Sequence, residues 1–291
     1  MIISASRRTD IPAYYHKWLA NRLLRGWCES ANPFNPRQIS RIDLTPAAVG
    51  AFVFWSRDVR NFGNCMDILD DMGYKYYFNL TYNNFPEYLE PNAISPGRAA
   101  SEFENLAGRI GPGRIVWRYD PVIFSDEINI AWHTDNFSRL AGMLAGTTRR
   151  VITSVMTPYQ KTLRRLADIE NIEANPQESK IREMISNMSE IASENNMELR
   201  ICCYPGDMSD AGASPAKCID DEIPRNIFGI NIEYKKDKSQ RPGCHCAQSR
   251  DIGAYDTCLR GCRYCYAVRS LRRAAENYRR HDPKCPRLIP V

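Results

Sequence analysis

Between residues 2 and 203 the chain repeats one pattern: a short run rich in β-branched or aromatic residues, then a segment of helical length. The runs cover residues 2–6, 51–55, 74–80, 114–119, 150–155 and 198–203. Runs of this length and composition read as buried strands. Helices are expected after residue 12, where Tyr14, Trp18, Leu19, Leu23 and Leu24 recur at roughly helical spacing, and again on the way to Met72. Further helices are expected over 96–110, 128–144 and 267–278, with one or two more inside 157–191, interrupted near Asn175-Pro176. Strands alternating with helices predict a parallel sheet with right-handed crossovers. The expected fold class is therefore α/β, a complete or partial β/α (TIM-like) barrel. A single domain spans 1–291, and residues 204–250 form an irregular, cysteine-bearing insertion. Strands are also expected at 228–234 and 252–255, and a turn-rich loop at 32–36.

The last expected strand leads into Cys258-Leu-Arg-Gly-Cys262-Arg-Tyr-Cys265, three cysteines spaced C-x3-C-x2-C. Thiolates are soft ligands that suit iron–sulfur clusters or zinc. Three ligands in one loop fall short of the four that close a structural zinc site, and suit a 4Fe–4S cluster with one open iron. Eleven cysteines behind a start that does not read as a secretory signal favour metal or catalysis over a disulfide scaffold. A cytoplasmic location is expected, and no apolar run approaches the length that spans a bilayer. A net charge of +5, spread along the chain, reads as solvated surface charge.

The cysteine spacing, with Tyr264 just before the last cysteine, resembles the signature of the radical S-adenosylmethionine superfamily. The stretches Ser4-Ala-Ser-Arg-Arg-Thr-Asp-Ile-Pro12, Gln240-Arg-Pro-Gly-Cys244-His-Cys246 and Asp251-Ile-Gly-Ala-Tyr255 resemble an uncharacterised microbial family with a radical-SAM-like C-terminus. The resemblance implies that Cys258, Cys262 and Cys265 hold three irons. The fourth iron would bind the amino and carboxylate groups of S-adenosylmethionine, and the reduced cluster would split the sulfonium to a 5′-deoxyadenosyl radical. It further implies an electron donor such as flavodoxin or ferredoxin, and a small-molecule or nucleic-acid substrate. In that superfamily the cysteine loop usually follows the first barrel strand. Here it follows the last, so a circularly permuted barrel is expected. Cys-x-Tyr-Cys-Tyr at 262–266 is also similar to spore photoproduct lyase, which makes a nucleic-acid repair lyase the alternative, with basic residues 269–280 meeting phosphate. A non-catalytic iron–sulfur or zinc protein is the third reading.

Barrel active sites lie at the carboxyl ends of the strands. Several of those ends are polar here, and the Gly-Gly-Glu stretch that usually meets the cofactor ammonium is absent. Asp10, beside Thr9, is the candidate ammonium acceptor, and Arg7 or Arg8 the carboxylate partner. Thr9-Asp10 before Ile11-Pro12 reads equally as a helix N-cap. Arg118 and Asp120 join Asp10 as candidate catalytic residues, or form an ion pair at the barrel rim. Asn79, Ser154 and Tyr264 are candidate cofactor contacts. Cys202, Cys218, Cys244 and Cys246 are candidate ligands of a second site, with a 4Fe–4S cluster the first choice and zinc the second. Cys203 should face the opposite layer, because neighbouring strand residues alternate. Cys28, Cys65 and Cys285 have no partner at ligand spacing.

Overall fold

The strands that carry the site are buried on both faces, so they appear in the sequence as continuous apolar runs rather than alternating ones. The computed structural model describes residues 1–290. In chain order the elements begin β1 (Ile2–Ala5), α1 (Ile11–Tyr14), α2 (His16–Arg25), β2 (Trp27–Asn32), β3 (Asn35–Asp43), β4 (Ala51–Ser56) and α3 (Gly63–Asp71). Next come β5 (Tyr76–Thr81), α4 (Pro96–Ile110), β6 (Ile115–Val122), α5 (Ile130–Leu144) and β7 (Arg150–Val155). The remainder is α6 (Gln160–Leu166), α7 (Glu178–Glu194), β8 (Glu198–Ile201), β9 (Ser214–Pro215), α8 (Glu222–Phe228), β10 (Ser249–Asp251) and α9 (Leu271–Arg280).

Eight strands form one sheet in the order β10-β1-β4-β5-β6-β7-β8-β9, and every neighbouring pair is parallel. The last strand thus lies beside the first. Helix residues Leu19, Leu69, Phe103 and Phe137 pack with Phe52, Phe54, Phe78 and Trp117 in the larger core. Ile2, Val53, Tyr77, Val116 and Ile152 belong to a second core. That core is completed by Ala216, Ile219 and Ile223 together with Cys202, Cys218, Cys244 and Cys246. The 204–250 segment is therefore the cover of one sheet face, not an appendage.

Two expectations are corrected. Residues 228–234 form no strand; Glu222–Phe228 is a helix, stopped by Gly229 at φ 67°. The strand expected at 252–255 ends at Asp251. A β-carbon at Gly253 would overlap the Ser6 hydroxyl, so the chain passes Ser6 too closely for any other residue. The antiparallel hairpin of β2 and β3 was not expected, because Ile42 alone of its second strand is buried and no apolar run marks it. Among the described residues, no helix is long and apolar enough to cross a membrane.

Candidate functional site

Parallel pairing turns all carboxyl ends of the strands to one edge of the sheet. There they open on a cavity of about 430 Å³, in the size range of small-molecule sites. Strand alternation and register put Trp55, Arg118 and Ser154 on the same face as Val53, Val116 and Ile152, and all three line the cavity. Both cysteine sets line it as well: Cys258, Cys262 and Cys265, and Cys202, Cys218, Cys244 and Cys246. Cys203 does not, but it packs against the same core as Cys202 rather than the opposite layer, because β8 ends at Ile201 and strand alternation no longer applies.

The 258–265 loop is held by the protein rather than hanging from it. Tyr15 donates its hydroxyl to the Thr257 carbonyl at 2.8 Å, and Asn92 Nδ2 donates to the Arg260 carbonyl at 3.0 Å. Arg263 N donates to the Leu89 carbonyl at 3.0 Å, and Arg165 donates to the carbonyls of Cys265 and Val268. Gly261 turns the loop at φ 79°. Burial raises the pKa of Cys258 and Cys262, the latter to about 11 although Arg57 pulls it down. Without metal these groups are thiols, and metal binding must displace their protons.

Tyr264 ties this loop to the strands. Its hydroxyl donates to Glu90, and accepts from Arg57 Nη2 at 2.5 Å and Asn83 Nδ2 at 3.0 Å. Glu90 is 2% exposed and holds Arg57 in an ion pair of 2.9 Å. Burial opposes charge on Arg57, yet Cys262, Glu90 and Tyr264 together hold it protonated. Glu90 is the residue that sequence reasoning missed. It lies in an irregular stretch with no motif, and only its burial identifies it.

The candidate cofactor contacts divide. Asp10 Oδ1 accepts from Ala13 N at 3.1 Å and Ser56 Oγ at 2.7 Å, while Oδ2 accepts from Arg57 N at 3.0 Å and faces Arg260 at 3.8 Å. Its carboxylate caps α1 and fixes the turn after β4, and the residue lines the cavity. Asn79 is fully buried and absent from the cavity lining; Nδ2 donates to the Cys218 carbonyl at 3.1 Å. It supports the second cysteine set instead of a cofactor. Arg118 and Asp120 do form an ion pair, at 2.7 Å, and Arg118 Nη1 also donates to Cys218 Sγ at 2.8 Å. Ser154 donates its hydroxyl to Asp120. Arg8 stands at the rim, its guanidinium 5.4 Å from the Tyr255 ring centre.

Two cavity-lining atoms fit a bound polar ligand. Arg7 Nη2 and Thr9 Oγ1 are buried without a partner among the described residues. Buried polar groups in folded proteins are almost always paired, so these two are open to a further partner. Among the described residues, no three His, Cys, Asp or Glu side chains gather round one point closely enough to hold a single metal ion. A cluster of several irons fills a volume, so its thiolates surround a space rather than a point. Cys258, Cys262 and Cys265 all line this cavity.

A family model described as a domain of unknown function (DUF1848) matches residues 2–267. The chain belongs to that family. No curated protein and no solved structure matches it. The DUF1848 span takes in every residue that lines the cavity, from Ser6 to Ala267, while α9 lies beyond it.

Proposed function

We propose that the protein is a radical S-adenosylmethionine enzyme whose 4Fe–4S cluster is held by Cys258, Cys262 and Cys265, within a single-domain, circularly permuted partial β/α barrel. The observation that carries this reading is the opening of those three cysteines on the cavity that holds the unpaired Arg7 and Thr9 donors. The pairing of β10, which precedes the loop, with β1 supports the permuted order.

When bound, an open 4Fe–4S cluster supplies the electron that cleaves S-adenosylmethionine and yields a radical able to remove a hydrogen atom from substrate. The chain's own residues bind and orient. Arg7 offers a guanidinium that fits a carboxylate, and Thr9 a hydroxyl that fits a ribose or amino group. Tyr264 and the buried Arg57–Glu90 pair fix the loop, so that its cysteines keep their positions at the cavity. Asp120, already engaged by Arg118 and Ser154, presents its remaining acceptor capacity to the substrate side of the cavity.

The cavity size supports a small-molecule substrate, with flavodoxin or ferredoxin as the class of electron donor. The repair-lyase alternative draws less support from the basic residues near α9, because Arg269 and Arg273 both turn to Asp256, at 2.7 and 3.7 Å. The test is anaerobic reconstitution, then incubation with dithionite and S-adenosylmethionine, with 5′-deoxyadenosine read by chromatography. Product is expected. A complete cluster with no product, with or without cell extract as a substrate source, overturns the reading.

A further inference from the structure

We infer that Cys202, Cys218, Cys244 and Cys246 hold a second metal centre of thiophilic type on the wall of the same cavity. The four come from three separate segments: the end of β8, the turn after β9, and the loop before β10. All four are buried, at 9, 7, 6 and 2% exposure for Cys202, Cys218, Cys244 and Cys246. Cys202 and Cys218 bring their sulfurs to 3.2 Å as free thiols. Cys244 and Cys246 belong to the same buried cluster and line the same cavity wall as this pair.

The segments are built to hold this arrangement. Ala247 N donates to the Ile219 carbonyl at 3.0 Å, and Ile219 N donates back to Cys246 Sγ at 3.5 Å. Asn79, on a central strand, anchors the Cys218 carbonyl at 3.1 Å. Cys203 takes a left-handed φ of 56°, which turns the chain immediately after Cys202.

Charge makes the same case. Four thiolates around a divalent ion, or around an oxidised 4Fe–4S cluster, leave a net charge of about −2. Arg118 donates to Cys218 Sγ at 2.8 Å. Arg7 lines the same cavity, with one terminal nitrogen 3.6 Å from Asp237. Arg118 is already paired with Asp120 at 2.7 Å, and a dianionic centre would give its other terminal nitrogen a charged partner in place of a neutral thiol. Thiolates on one tetrahedral ion stand ~3.8 Å apart. A single ion would have to spread the Cys202–Cys218 pair and draw in the other two sulfurs, because among the described residues these sulfurs do not meet round one point.

The experiment measures iron and zinc per chain in full-length protein purified without oxygen, with circular dichroism as the check on folding. Cys262→Ala provides a background in which the open cluster is lost on the reading above, so thiolate-bound metal that remains belongs to the second site. Adding Cys218→Ser or Cys244→Ser to that background should remove about one zinc or about four irons, and the metal identifies which centre is present. Cys203→Ser should remove neither. Equal metal with and without Cys218→Ser and Cys244→Ser overturns the inference, as does equal loss from Cys203→Ser or a metal-free Cys202–Cys218 disulfide found by mass spectrometry. The two readings fail separately: the metal step at Cys218 does not depend on any cleavage of S-adenosylmethionine.

Discussion

Ser4 donates its hydroxyl to the Asp251 carboxylate at 2.6 Å, joining the first strand of the chain to the last. Asp251 also accepts from Ser6 Oγ at 2.8 Å, Arg7 N at 3.0 Å and Gly253 N at 2.9 Å. One side chain therefore fixes both the start of the cavity loop after β1 and the entry to the cysteine loop. Asp251→Ala leaves these donors without their acceptor, at ~1–3 kcal/mol for each that stays dry. Because they share one partner the losses do not add, and a total near 3 kcal/mol is expected. Urea unfolding measures it. A loss under ~1 kcal/mol would show that water replaces the carboxylate.

Replacing Cys258, Cys262 or Cys265 singly by Ala should abolish the open cluster, read as loss of about four irons and of the cluster's visible absorption. Cys65 is the control: it donates to the His16 carbonyl at 2.9 Å, remote from the cavity lining. Cys65→Ala should cost about 1–2 kcal/mol of stability and no iron. Iron loss on changing Cys65 equal to that at Cys262 would mean the ligand set is misassigned.

Glu90→Gln removes the carboxylate that compensates the buried Arg57. Breaking one partner of a buried pair strands the other charge, so a loss of about 3 kcal/mol is expected. Tyr264→Phe removes only a hydroxyl from the same network, and should cost about 1 kcal/mol with cluster iron retained. Comparing the two denaturation midpoints checks the order. A larger loss at Tyr264 would mean that the hydroxyl, not the ion pair, secures the loop.

His133 gives a pH dependence. It is fully buried between the Tyr119 hydroxyl, 2.8 Å from Nδ1, and the Ile123 carbonyl, 2.9 Å from Nε2. Burial holds its pKa down to about 4, below the ordinary 6.5. The unfolded chain therefore binds one more proton than the folded chain between those values. Stability from this group is full above the ordinary pKa and falls as pH drops toward 4, by about 3 kcal/mol. His133→Asn should flatten the slope between pH 4.5 and 7, although the variant starts from lower stability. An unchanged slope would show that carboxylates elsewhere govern the acid limb.

Much of the fold is legible in the chain. Arg150–Val155 and Pro96–Ile110 keep the bounds that the sequence suggests, the first as a doubly buried strand and the second as an amphipathic helix opened by proline. The polar strands Trp27–Asn32 and Asn35–Asp43 are invisible to the same reading, because a hairpin lying on the outside needs no apolar pattern.

The three-cysteine loop is a local property: its cysteines lie within eight residues, so spacing alone brings them together. The strand–helix alternation is local too, since burial on both faces writes itself into consecutive residues. Partnership at long range is different. Nothing in the chain near residue 10 says that Ser56, Arg57 and Arg260 will occupy the Asp10 carboxylate. Nor does anything near residue 79 assign Asn79 to the Cys218 carbonyl. Glu90 meets Tyr264 across 174 residues of sequence. Residue type and spacing determine which groups can do chemistry; which of them stay free to do it depends on hydrogen-bond partners supplied by distant strands, and only the packed sheet decides that.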